Sequence, residues 1–263
     1  MIVLGTPSFA VRSTAGMIAP LVKQDAVIVT VSKGVERDSA LCMSQIIEQE
    51  LCGRGRVVAL SGPSHAEEVA RRVPTGCVAA SKDVEAALMT QDAFMNTNFR
   101  VYTNPDIIGV ELGGALKNII ALCCGVSDGM GLGDNTKALL MTRGMTEMAR
   151  LGVALGGRKE TFAGLSGMGD LIVTCTSMHS RNRRCGILIG QGMTASEAMA
   201  EVGATVEGYY AAFSARQLAE KMGVEMPICD CAYRILYEDQ SVRSVVEQLM
   251  TRGKRREEDE SWI

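Results

Sequence analysis

The sequence predicts an α/β fold: part of a doubly wound parallel sheet over residues 1–104, followed by an all-α C-terminal domain over residues 105–252. Three observations lead there. Short β-rich runs alternate with helix-length segments as far as Asn104-Pro105. Several of those runs are apolar at successive positions, as strands buried on both faces require. Beyond Pro105 the β-rich runs nearly stop and helical patterns take over.

Strands are expected at Ile2–Thr6, Ala26–Ser32, Val57–Ser61, Cys77–Ala80 and Arg100–Tyr102. Helices lie between them at Ser8–Lys23, Ser39–Leu51, Ala66–Arg72 and Val84–Asn96. Asp106 can cap a long helix reaching about Gly125. Further helices follow at Asn135–Leu155, Arg183–Gln191, Ala195–Val202, Val206–Met222, Pro227–Tyr237 and Val242–Thr251. Residues 253–263 carry the charged run Lys254–Glu260 and read as a disordered, solvated tail. Met1 is followed at once by a strand, and no G-x-G-x-x-G stands after a first strand. The expectation is that the phosphate-binding half of the sheet precedes Met1 in a longer protein, which would leave this chain truncated and impaired.

A formal net charge of -3 argues against a nucleic-acid partner. Nine cysteines are scattered without the spacing of a metal site or a redox pair, and no signal peptide is evident, so the thiols are expected to be reduced in the cytoplasm. The longest apolar stretch, Ile107–Val126, is broken by Glu111, Lys117 and glycines, so no membrane span is expected. The two histidines, His65 and His179, fall in different domains; neither a zinc site nor a Ser-His-Asp triad is supported, and both read as structural or peripheral.

Four constellations can carry chemistry. In Gly113-Gly114-Ala115-Leu116-Lys117-Asn118, two adjacent glycines cost a helix interior about 1 kcal/mol each. They make sense where another backbone or a ligand comes close. Lys117, set in an apolar pattern, either is desolvated and suited to proton transfer or snorkels to the surface; composition alone favours the surface. Ser180-Arg181-Asn182-Arg183-Arg184 forms a compact anion site or an ordinary basic helix start. Ser61-Gly62-Pro63-Ser64 and Ser32-Lys33-Gly34 follow strands, where ligands of open α/β sheets bind, but each alone is only a turn signal. In Gly167-Met168-Gly169-Asp170-Leu171 the flanking glycines should expose Asp170, to orient an ammonium or a hydroxyl or to cap a helix. Glu207 in Val206-Glu207-Gly208 either accepts from a carboxamide or lies on the surface.

Taken in order, Ser32–Gly34, Ser61–Ala66, Tyr102–Asp106, Gly113–Asn118, Gly167–Leu171, Ser180–Arg183 and Val206–Tyr209 resemble the bacterial-type NAD(P)-dependent glycerol-3-phosphate dehydrogenase family. The resemblance implies a Rossmann-like sheet and a small-molecule phosphate substrate, with NAD or NADP as cofactor, no metal, and a homodimer as a permitted assembly. It implies interconversion of sn-glycerol 3-phosphate and dihydroxyacetone phosphate for phospholipid synthesis. Lys117 matches the proton acceptor. Lys33, Gly62, Ser64, Lys117, Asp170, Ser180, Arg181 and Asn182 match substrate positions; Lys33, Ala66, Arg181, Thr205 and Glu207 match cofactor positions. Dehydrogenases of the 6-phosphogluconate and 3-hydroxyacyl-CoA types share the architecture but not these motifs, and a non-catalytic remnant or interaction module is the alternative of a different class.

Overall fold

The computed structural model describes residues 1–263 except Asp38, Arg255 and 258–263, so most of the expected charged tail lies outside the described residues. The strands are β1 (Ile2–Leu4), β2 (Val27–Thr30), β3 (Arg56–Ser61), β4 (Thr75–Ala80) and β5 (Phe99–Asn104), in the spatial order β1-β2-β3-β4-β5. β1, β2 and β3 run parallel, as do β4 and β5, but β3 and β4 are antiparallel. The expected parallel sheet is therefore mixed. The reason lies in the β3–β4 connection, whose helix α3 (Ala66–Ala70) has five residues. At 1.5 Å per residue it spans about 7.5 Å, against roughly 20 Å for a six-residue strand. It cannot carry the chain back along the sheet, so β4 returns in the opposite direction.

The helices of this half are α1 (Val11–Ile18), α2 (Met43–Glu50), α3 and α4 (Val84–Phe94). The single helix expected over 8–23 is broken, because short 3-10 turns at Ser8–Ala10 and Ala19–Leu21 flank α1. Pro20 lacks the N–H that would continue the α-helical ladder. α2 begins later than expected, at Met43, where the Gln45 side chain accepts from the Cys42 N–H at 2.9 Å. Strand alternation divides the core. Ile28 packs with Val11, Ile46 and Ile47 on one face of the sheet, while Val27 and Val29 pack with Leu60, Ala86 and Val101 on the other.

The helical half is built on α5 (Ile107–Gly129). Around it lie α6 (Gly133–Ala154), α7 (Lys159–Phe162), α8 (Asp170–Thr176), α9 (Arg181–Gly190), α10 (Ala195–Val202), α11 (Glu207–Met222), α12 (Pro227–Tyr237) and α13 (Val242–Met250). α7, α8 and a π turn at Leu165–Gly169 fill a stretch for which the sequence suggested no helix. By length and composition alone α5 is long and apolar enough to pass for a membrane span. Its apolar window is 89% buried inside the structure, which makes it the core helix. Asp106 caps it, accepting from the Gly109 N–H at 2.9 Å. The same carboxylate also accepts from the Arg158 N–H (2.7 Å) and the Thr161 hydroxyl (2.6 Å).

α5 and α9 meet backbone to backbone. A Cβ added to Gly125 or Gly129 would lie 2.1 or 2.2 Å from the carbonyl oxygens of Arg183 and Ile187. One added to Gly186 or Gly190 would lie 2.1 or 2.3 Å from those of Leu122 and Val126. No side chain fits, so the crossing has room only for glycine. Gly186→Ala should therefore destabilise the protein by about 3 kcal/mol, the upper range for overpacking. Urea unfolding checks this, and an unchanged midpoint would show that the crossing relaxes freely.

Candidate active site

Four segments distant in sequence converge where β2 and β3 end. The turn after β2 supplies Lys33, the turn after β3 supplies Gly62, the middle of α5 supplies Lys117, and the first residue of α8 is Asp170. The Asp170 carboxylate accepts from Lys117 Nζ through Oδ1 and from Lys33 Nζ through Oδ2, both at 2.7 Å. Lys33 Nζ also donates to the Gly62 carbonyl (3.0 Å), and Lys117 Nζ to the Thr174 hydroxyl (2.6 Å).

Asp170 is only 2% exposed, so the expectation that its glycine neighbours expose it is corrected. Gly167 packs directly on the Phe162 backbone, where a Cβ would lie 2.0 Å from the carbonyl oxygen. Those glycines let the π turn wind inward and carry Asp170 into the interior. Lys117, at 5% exposure, does not snorkel. Burial pulls its pKa down to about 8; Asp170 opposes that fall and Lys33 adds to it. Burial pushes the Asp170 carboxyl up, but the two ammonium groups together outweigh it and hold it below its usual range.

The glycine pair before Lys117 has a local cause. A Cβ on Gly113 would lie 3.0 Å from the Ser166 carbonyl oxygen, and one on Gly114 2.9 Å from Ser61 Oγ and 3.6 Å from the Lys33 stem. Gly62, at φ +151°, lies against the backbone of Gly76 and Cys77, where any Cβ would clash at 2.9 Å.

The arginine run does not act as one anion site. Successive residues of a helix point about 100° apart. Arg183 turns to Asp128, at 2.7 Å, and Arg184 is exposed. Arg181 and Arg184 are both exposed with no side-chain partner among the described residues; of the two, Arg181 acts on the titration of Glu67 and Glu207, favouring the ionised carboxylate of each. Ser180 caps α9, its hydroxyl accepting from the Arg183 N–H at 3.2 Å. Buried Asn182 splices three helices, donating to Asn118 Oδ1 and accepting from the Gly208 N–H, both at 2.8 Å. Ser64 Oγ donates to the Gly62 carbonyl at 3.1 Å. Ala66 opens α3, and Thr205 lies two residues before α11. Glu207, the first residue of α11, accepts from the Ser8 hydroxyl at 2.7 Å; burial raises its pKa.

One residue of this region went unread in the sequence and one was read as structural or peripheral. Thr174 lies one turn beyond Asp170 and donates to its carbonyl at 2.6 Å; the Asp–Thr spacing of four would have signalled it had α8 been expected. His65, taken as peripheral, lies near the network: Lys117, Asp170 and Lys33 all act on its titration. Its ring centroid is 6.0 Å from that of His179, because the fold brings the turn before α3 against the turn before α9.

A sheet whose strand ends face a buried lysine–carboxylate pair on a helical second domain is the arrangement of a nicotinamide-linked dehydrogenase. The comparisons give the particular family. The family model described as NAD-dependent glycerol-3-phosphate dehydrogenase C-terminus matches residues 106–247, and that described as the N-terminus matches residues 1–87. The glycerol-3-phosphate dehydrogenase (NAD(P)+) of Clostridium perfringens (strain SM101 / Type A) is 56% identical over 257 residues, which cover 98% of this chain and 77% of the relative. That of Moorella thermoacetica is 55% identical over 263 residues, 100% of this chain and 78% of the relative. The crystal structure of glycerol-3-phosphate dehydrogenase from Coxiella burnetii superposes with a TM-score of 0.91 at 40% identity, covering 95% of this chain and 77% of that one. The chain belongs to the NAD-dependent glycerol-3-phosphate dehydrogenase family, and is an oxidoreductase with a Rossmann-like sheet that uses NAD(P).

Asp170→Asn removes the only negative charge between two ammonium groups of which one is buried. It should cost about 3–5 kcal/mol of stability, as breaking one partner out of a buried pair does. It should also lower the Lys117 pKa further, since the attraction that opposes burial is gone. Chemical denaturation and a pH–rate profile read the two effects, and an unaltered profile would mean that Asp170 does not tune Lys117.

Proposed function

We propose that the protein interconverts sn-glycerol 3-phosphate and dihydroxyacetone phosphate, with residues 1–104 serving the dinucleotide and residues 105–252 binding substrate and carrying the catalytic base. The observation that carries this is the Lys117 amine, buried on Asp170 with its pKa near 8 and a second cation beside it. A lysine in this state takes up and gives back a proton near neutral pH.

In the oxidative direction neutral Lys117 accepts the C2 hydroxyl proton. Lys33 stabilises the alkoxide character that develops as the proton leaves. When bound, the nicotinamide supplies the hydride acceptor. Arg181, Ser180 and Asn182 take the phosphate end, with the Arg181 fork, which has no side-chain partner among the described residues, as the principal grip. Gly62, Ser64 and Asp170 complete the substrate site. Lys33, Ala66, Arg181, Thr205 and Glu207 serve the cofactor. The Glu207 carboxylate suits a carboxamide: it is half-buried, and both oxygens already accept from Ser8 groups that a ligand N–H can replace. The reductive direction yields a glycerol phosphate of the kind that phospholipid synthesis consumes, and we assign that supply role to the protein. The free thiols of the nine cysteines support a reducing compartment such as the cytoplasm.

Lys117→Ala should cut turnover by about 10²–10⁴-fold while dihydroxyacetone phosphate binding suffers less. In the unmodified protein, oxidation requires the neutral amine and should rise with pH to a plateau above about 8, whereas reduction requires the ammonium and should fall over the same interval. The absorbance of reduced nicotinamide follows both. Near-normal turnover in Lys117→Ala would remove Lys117 from the mechanism.

Arg181→Lys keeps the charge and loses the fork, so KM for glycerol 3-phosphate should rise. Arg184→Lys serves as the control and should change little. Unchanged KM values for glycerol 3-phosphate and for the cofactor in Arg181→Lys would leave Arg181 a solvated helix start.

A further inference from the structure

Oxidising an alcohol to a ketone sends a hydride to the cofactor and leaves one proton behind in each cycle. With Lys117 as the acceptor, that proton rests on a side chain 5% exposed. Two of its neighbours cannot pass it outward. Asp170 is held ionised between two ammonium groups, and Thr174 already donates its hydroxyl proton to the Asp170 carbonyl. We propose that His65 takes the proton from Lys117 and passes it to solvent by way of His179.

Three observations support the path. His65 stands in the turn that joins β3 to α3, close enough to Lys117 for the two to interact electrostatically. Its Nε2 is buried and has no hydrogen-bond partner among the described residues. A buried ring nitrogen of that kind needs a partner. His179 then faces it from the other half of the molecule, with ring centroids 6.0 Å apart and planes inclined by 52°. That separation suits one bridging water. His179 is exposed, so the path ends in solvent.

The charges around His65 favour its role as acceptor. Burial keeps the imidazole neutral, and the Lys117 ammonium reinforces this from α5. Asp170 from α8 and Glu67 from its own helix pull the other way, while Lys33, beyond β2, adds to the Lys117 effect. His179 faces it across the cleft, with Arg181 beyond, near Glu67. The Lys117 ammonium gives one proton to Nε2 of neutral His65 through a water. The imidazolium so formed loses the proton on Nδ1 to His179 or to water at the mouth. Lys117 is left as the neutral amine, and no electrons move. Reduction runs the path in reverse. His65 acts through Lys117 and is a positioning residue for its proton rather than a group that touches the substrate.

This inference rests on Lys117 as proton acceptor, and the experiment separates the two. In weakly buffered solution His65→Phe should lower turnover by about 10²-fold, the low end of the range for losing a proton-transfer group. KM for glycerol 3-phosphate should stay within about twofold, and added free imidazole should restore the rate. His179→Ala should lose less, because water can replace an exposed terminus. With only two histidines in the chain, proton NMR of their ring signals gives a readout independent of turnover. The His65 midpoint should rise in Lys117→Ala, which removes the neighbouring positive charge. Wild-type turnover by His65→Phe, a loss that imidazole does not rescue, or an unmoved His65 midpoint would each overturn the path. If Lys117→Ala itself keeps turnover, the acceptor assignment has failed and the path falls with it; if Lys117→Ala is slow while His65→Phe is not, only the path is wrong.

Discussion

One carboxylate holds the halves of this molecule in register. Asp170 is almost wholly buried, and an isolated ionised carboxylate in such a place costs several kcal/mol. It is tolerated because two ammonium groups meet it, one on each oxygen. Lys33 comes from the sheet half and Lys117 from the helical half, so satisfying the charge requires both halves to close on the same point. Two cations against one anion leave an excess positive charge in the cleft. Lys33 adds to the fall that burial imposes on the Lys117 pKa, and Asp170 opposes it.

α5 is the frame that makes this closure specific. It is apolar enough that its polar side chains stand out, and Glu111, Lys117 and Asn118, with the capping Asp106, each reach a different neighbour. Asp106 at its start binds the backbone and hydroxyl leading into α7. Glu111 accepts from the Ser44 N–H at 2.8 Å and from the Ser44 hydroxyl, capping α2 across the domain boundary. Burial pushes the Glu111 pKa up to about 7, so those two donors are what make its position tenable. Lys117 reaches α8, and Asn118 reaches α9 through Asn182. Together with the glycine crossing of α5 on α9, these contacts fix the N-terminus of α9 relative to α5.

Much of this was legible from residues alone. Apolar runs broken at regular intervals located the five strands, and a capping Asp106 located α5 because cap chemistry is local. Direction was less legible: whether β4 returns antiparallel depends on how far α3 reaches, which apolar patterning does not record. The stretch from Lys159 to Thr176 was opaque because glycines there serve close packing and a π turn, and on paper they resemble loop punctuation. The same ambiguity misplaced Asp170 on the surface. The arginine run misled in the opposite way. Adjacent arginines look like a cluster, yet helical geometry sends Arg183 to Asp128 and leaves Arg181 alone at the cleft. His65 and His179 could not be paired from sequence at all, since their proximity exists only once the turns before α3 and α9 meet.

The division between satisfied and unsatisfied groups follows the division of labour in the site. Deep in the structure, Lys117, Asp170, Lys33 and Thr174 are bonded to one another, so the Lys117 amine is oriented by the protein's own contacts. Farther out the bonding thins. Arg181 has no side-chain partner among the described residues, and Glu207 holds only the easily exchanged Ser8 groups. A rigid interior with a loosely committed rim leaves the outer polar groups able to change partners at little loss, whereas the inner ones cannot be moved without stranding a buried charge.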